Sequence, residues 1–102
     1  MENNKIYTID EIRNIIQNNK KNFEEKYFVD NFMLFGSYAK NQSDEYSDID
    51  LLVSFKKPVD MFEFMDLQEY LTNLFRKKVD LGTPNSLKKF IKEKILKEAI
   101  AL

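Results

Sequence analysis

The segment Asp48–Phe55, DIDLLVSF, constrains this chain more than any other. It is short, rich in β-branched and apolar residues, and follows a polar loop, which predicts a strand. Side chains alternate faces along a strand. Asp48, Asp50, Leu52 and Ser54 therefore share one face, and Ile49, Leu51, Val53 and Phe55 share the other, which is wholly apolar. The apolar face requires a covering layer. The opposite face carries two carboxylates about 6.6–6.8 Å apart at Cα, and burying an unpaired carboxylate is costly. Asp48, following Ser47, also reads as an ordinary turn residue. Asp50 lies within the run and does not.

The rest of the chain supplies the covering layer. Thr8–Glu11, TIDE, has the form of a capping box, and Ile9, Ile12, Ile16 and Phe23 follow at helical spacing with Ile15 alongside, predicting a helix from about Ile9 to Lys20. Val29–Phe35 predicts a buried strand ended by Gly36, and Ser37–Gln42 a short helix. Met61–Phe75 predicts a helix with Met61, Phe64, Met65, Leu71, Leu74 and Phe75 on one stripe. Lys77–Thr83 predicts a third strand closed by Gly82. Pro84 is placed to open a final helix with Leu87, Phe90, Ile91, Ile95 and Leu96 on its inner face. The order α-β-(α)-β-α-β-α implies an α+β, α/β-like fold: a small mixed sheet flanked by helices, at least partly parallel, in a single domain spanning residues 1–102.

Composition narrows the chemistry. With 16 basic and 17 acidic side chains, the net charge is −1, which lacks the basic excess of a general nucleic-acid binder. Neither Cys nor His occurs, so thiolate and imidazole chemistry are excluded and a cytoplasmic setting is expected. No apolar run approaches a membrane span, and the N-terminus has no leader pattern. Carboxylates and oxygen-bound metal ions remain. In Val79–Gly82, Asp80 points opposite to Val79 and Leu81. If that strand lies beside Asp48–Phe55 with matching faces, Asp80 completes a triad. Three such carboxylates repel one another unless a hard cation such as Mg²⁺ occupies them. Gly36-Ser37, taken alone, is an ordinary helix N-cap; placed after a strand, it could also meet a phosphate.

In combination these residues say more. Ser37, then ten residues, then Asp48-Ile49-Asp50, within LFGSYAKNQSDEYSDIDLLV, resembles the signature of the polymerase-β-like nucleotidyltransferase superfamily. The chain's shortness, the GSYA wording and the ending VDLGTPNSLKKFIKEKILKEAIAL look most like the minimal nucleotidyltransferases (MNT), the antitoxin halves of HEPN–MNT toxin–antitoxin pairs. The resemblance spans nearly the whole chain. It implies a polymerase-β-type fold, two Mg²⁺ ions, and ATP as substrate. It also implies transfer of AMP to a tyrosine hydroxyl of a partner HEPN ribonuclease toxin, which is thereby neutralised.

By the same resemblance Asp48 and Asp50 are metal ligands. Asp80 is a third ligand that helps activate the acceptor hydroxyl. Gly36 and Ser37 hold the nucleotide phosphates. Lys40 matches a basic residue followed in many relatives by Gly; Asn41 departs from that pattern, and Lys40 is otherwise a solvated surface lysine. Two alternatives stay open: occlusion of the toxin without catalysis, and nucleotidyl transfer to an RNA or small-molecule hydroxyl. Phe62 and the tail Glu98–Leu102 are candidates for a partner interface, although either could pack at home.

Overall fold

The apolar face of DIDLLVSF folds as its alternation requires. A computed structural model of the chain describes residues 5–102; Met1–Asn4, part of the segment read for a leader, lie outside them. The central strand, β2, runs Ile49–Phe55, and Ile49, Leu51 and Val53 are completely buried. Asp48 stands immediately before it. β1 (Val29–Phe35) lies antiparallel on one side, with Leu34 opposite Leu51 and Phe35 opposite Asp50. β3 (Val79–Gly82) lies parallel on the other, with Asp80 opposite Asp50 and Gly82 opposite Leu52. With a short last strand, β4 (Ile100–Ala101), the sheet order is β3-β2-β1-β4.

One face of this sheet carries the core. Helices α1 (Ile9–Asn18), α2 (Lys20–Tyr27) and α4 (Met61–Phe75) bring Ile12, Ile16, Phe23, Leu67, Leu71 and Phe75 against Phe32, Leu34, Ile49, Leu51, Val53 and Val79. Thr8 and Glu11 form the expected capping box on α1, the Glu11 N–H donating to Thr8 Oγ1 at 3.0 Å. Asp60 and Glu63 form a second one on α4.

Several expectations change. The first helix does not run through to Lys20: Asn19 leaves helical geometry, its side chain donates to the Ile15 carbonyl at 2.8 Å, and Phe23 belongs to α2. A side chain that bonds back to its own backbone competes with helix continuation. The predicted α4 stripe is rotated. Met61 and Met65 are exposed and Leu67, absent from that stripe, is buried, because Phe64, Leu67, Leu71 and Phe75 make the inward row. Phe62 is exposed.

Pro84 opens a 3₁₀ turn (Pro84–Ser86), not the last helix: Ser86 Oγ donates to the Thr83 carbonyl at 2.7 Å and Leu87 is extended. The helix α5 starts only at Lys89, ends at Glu98 and buries no residue; Phe90 and Ile91 are exposed. The order also gains a fourth strand, β4 (Ile100–Ala101), antiparallel to β1 with Ile100 opposite Leu34. The tail thus packs at home, with Ile100 and Leu102 against the core.

Candidate active site

The face of the sheet away from the core holds the predicted residues. The register that sets Asp50 opposite Asp80 in the parallel pair puts both carboxylates on this face, and Asp48 precedes them by one strand period. Asp80, exposed at the outer strand, lies beside Asp50 on this face, opposite in direction to the buried Val79 and Leu81, as the strand alternation predicts. Asp50 is half-buried, and its pKa is pushed up to about 6. Burial is the main cause, followed by the charges of Asp80 and Asp48; Lys78 opposes them.

Asp48 lies 3.7 Å from Lys78 Nζ. Next to Lys78, the side chain of Lys77 is buried and donates to the Glu45 carbonyl at 2.9 Å, tying the loop before Asp48 to the start of β3. Neither lysine was singled out in the sequence; the only signal is their position directly before Val79-Asp80.

On the other side of Asp50 stands Gly36. It has φ of 73°, a left-handed conformation natural to glycine. A Cβ there would overlap Asp50 Oδ2 and lie 3.0 Å from Asp50 Cγ. The close approach of backbone to carboxylate thus requires glycine. Ser37 follows in α3 (Gly36–Ala39), which is only a single turn and stops before the Gln42 expected, anchored by the buried ring of Tyr38. The turn ends at Asn41 with φ of 56°. Asn is the residue after Gly that best tolerates this region, so Asn41 keeps the backbone that a glycine would adopt. Lys40 does not point among the acids; its Nζ pairs with Glu98 of α5 at 3.2 Å.

Phe35, Gly36 and Lys40 line a cavity of about 550 Å³ with Phe90, Ile91, Lys94, Ile95 and Glu98 of α5. A larger cavity, about 1020 Å³, lies between the end of β2, the start of α4 and the Thr83–Ser86 turn. Its single acid is Asp60, the α4 cap, and none of Asp48, Asp50 and Asp80 lines it.

Asp48, Asp50 and Asp80 offer only oxygen donors, the kind a hard divalent cation takes, and the central one is driven toward its neutral form first by burial and then by the charges of the other two. Among the described residues no three acidic side chains stand close enough together to hold a metal ion as they are.

A family model for the nucleotidyltransferase domain matches residues 9–102. The chain is 37% identical over 93 residues to the protein adenylyltransferase MntA of Thermococcus cleftensis, which covers 91% of this chain and 94% of that relative. A solved candidate minimal nucleotidyltransferase superposes with a TM-score of 0.79 at 26% identity, over 94% of this chain and 97% of that one. The fold is also shared, at 20% identity and a TM-score of 0.57, with a structure of a tri-AMPylated Shewanella oneidensis HEPN toxin in complex with MNT antitoxin, over 90% of this chain and 66% of that one. A carboxylate face built against a glycine turn, on a chain matched from its first helix to its end, has one reading: this protein belongs to the nucleotidyltransferase domain family, among the minimal protein adenylyltransferases.

Proposed function

We propose that residues 1–102 form one minimal nucleotidyltransferase domain acting as a Mg²⁺-dependent antitoxin. It would transfer AMP from ATP to a tyrosine hydroxyl of a partner HEPN ribonuclease toxin and so neutralise it, in the cytoplasm. The observation that carries this reading is Asp50 wedged between Gly36 and Asp80, a half-buried acid in contact range of both a side-chain-free turn and a second acid.

Asp48, Asp50 and Asp80 would hold two Mg²⁺ ions. When bound, these would neutralise triphosphate charge and make the acceptor hydroxyl more acidic. Gly36 and Ser37 offer the nucleotide phosphates a close backbone approach and a hydroxyl. Lys40, held by Glu98, would reach phosphate only by exchanging that partner. Asp80, exposed at the outer strand, would take the acceptor's proton. The acceptor oxygen bonds to the α-phosphorus, the bond to the β-phosphate oxygen breaks, and pyrophosphate leaves.

A partner toxin is supported by the Shewanella oneidensis complex, in which an MNT antitoxin of this fold accompanies an AMPylated HEPN toxin. Among the described residues no helix is long and apolar enough to cross a membrane. The reading is tested by incubating the protein with Mg²⁺, ATP and the HEPN protein encoded beside it, then weighing that partner by mass spectrometry. AMP-sized increments that vanish in Asp48→Asn and Asp50→Asn are expected. Neutralisation by those variants with no mass change would replace transfer by occlusion.

A further inference from the structure

Five tyrosines occur in the chain, and the fold hides four of them. Tyr7 and Tyr38 are buried. Tyr27 and Tyr70 are half-buried with ring centroids 5.3 Å apart, and the Tyr70 hydroxyl donates to Asn19 Oδ1. Tyr46 is 82% exposed. It stands two residues before Asp48, on a loop that is held and not slack. The Tyr46 N–H donates to Asp44 Oδ1 at 2.9 Å, the Asp44 N–H to Ser47 Oγ at 2.9 Å, and Lys77 Nζ to the Glu45 carbonyl at 2.9 Å. A structured turn therefore presents a phenol to solvent beside the carboxylate face, and nothing in the core or the site uses it.

Charge supplies a second observation. Asp44–Asp48 (DEYSD) contains three acids and no base, a net −3. Lys88–Glu98, which is α5 with its N-cap, contains five lysines and two glutamates, a net +3. That helix flanks Gly36, and Gly36 touches Asp50. The basic helix at the Gly36 side of one copy's site is thus electrostatically complementary to the Tyr46 loop of another. Within one copy, Lys77 fastens the loop to the start of β3, and α5 packs against β1.

We propose that Tyr46 is itself an AMP acceptor, modified in trans by a second copy of this chain. The proposal rests on the AMP-transfer reading and names a second substrate for the same site. The Tyr46 hydroxyl oxygen forms a bond to the α-phosphorus of ATP, the bond from that phosphorus to the bridging oxygen of the β-phosphate breaks, pyrophosphate departs, and the phenolic proton passes through Asp80 to solvent.

The test is the purified chain with Mg²⁺ and ATP and no partner, followed by intact-mass and peptide mass spectrometry. One AMP-sized increment is expected on the peptide containing Tyr46. It is absent in Tyr46→Phe, which still modifies the partner toxin. It appears on Asp50→Asn chains when active wild-type chains are mixed in. Raising ionic strength from 0.05 to about 0.5 M should slow it several-fold, because the encounter is between screened exposed charges. A wild-type protein that modifies the toxin but never Tyr46 overturns this proposal and leaves the AMP-transfer reading standing. Modification of wild-type chains with none on the mixed Asp50→Asn chains overturns transfer between copies. A protein that modifies neither substrate overturns both.

Discussion

The two faces of β2 share one backbone and have opposite occupations. Ile49, Leu51 and Val53 meet three helices and are completely buried. On the other face Leu52 is buried, but Asp48, Asp50 and Ser54 are half-buried at most, and the helix nearest them on the β1 side, α5, buries nothing. The period of two along a strand lets a chain of 102 residues place its stability on one side and its chemistry on the other. Apolar burial holds the strand still, and the strand holds charges that would otherwise repel each other apart. The working face is a cost that the folding face offsets.

The largest expected effect is on the working face. Asp50→Asn should lower AMP transfer by roughly 10²–10³-fold or more, the scale on which one element of a preorganised electrostatic site is lost, while the melting temperature stays level or rises. Leu51→Ala, one residue away on the folding face, should do the reverse to stability. It should cost about 2–5 kcal/mol by urea or thermal unfolding, as large-to-small core changes do. If the two variants give the same pattern, the division between faces is wrong.

Gly36→Ala comes next. The left-handed backbone costs a non-glycine residue about 1–2 kcal/mol, and the new Cβ would meet the Asp50 carboxylate. Transfer should fall further than stability does, as read by parallel kinetics and melts. Equal activity with a lowered melting temperature would mean that the turn serves the fold alone.

The smallest effect is a pH slope. The Asp50 pKa is raised from 3.8 to about 6 in the folded protein. Between those values the native state binds the proton more tightly than the unfolded chain, so stability falls as pH rises through that window. Melting temperatures in chelator from pH 4 to pH 8 should show this as a wild-type-minus-Asp50→Asn difference that becomes more negative with pH and levels off above pH 7. A flat difference would mean that Asp50 is solvated in both states.

Much of this division was legible in the sequence, because the strand alternation of Asp48–Phe55 and Val79–Gly82 is strict and Thr8 and Glu11 mark a helix start unambiguously. The register that sets Asp80 opposite Asp50 required only that the two strands be neighbours with matching faces. What was not legible depended on competition between nearly equal local choices. Asn19 can continue a helix or bond back to Ile15, and Ser86 can join a helix or close a turn on Thr83. In α4, apolar residues surround much of the helix, so Met61 and Met65 looked as fit for burial as Leu67. β4 is two residues long, too short for any period, and is a strand only because the edge of β1 is there to pair with it. The pairing of Lys40 with Glu98 follows from where α5 passes, which no local pattern encodes.

The most direct measurement is a calorimetric titration with a non-hydrolysable ATP analogue, with and without Mg²⁺, on the wild type and on the Asp48→Asn, Asp50→Asn double variant. The account predicts uptake by the wild type only when Mg²⁺ is present. It predicts none by the double variant, whose melting temperature should equal or exceed that of the wild type. Binding of equal affinity by the double variant, or its unfolding, would contradict it.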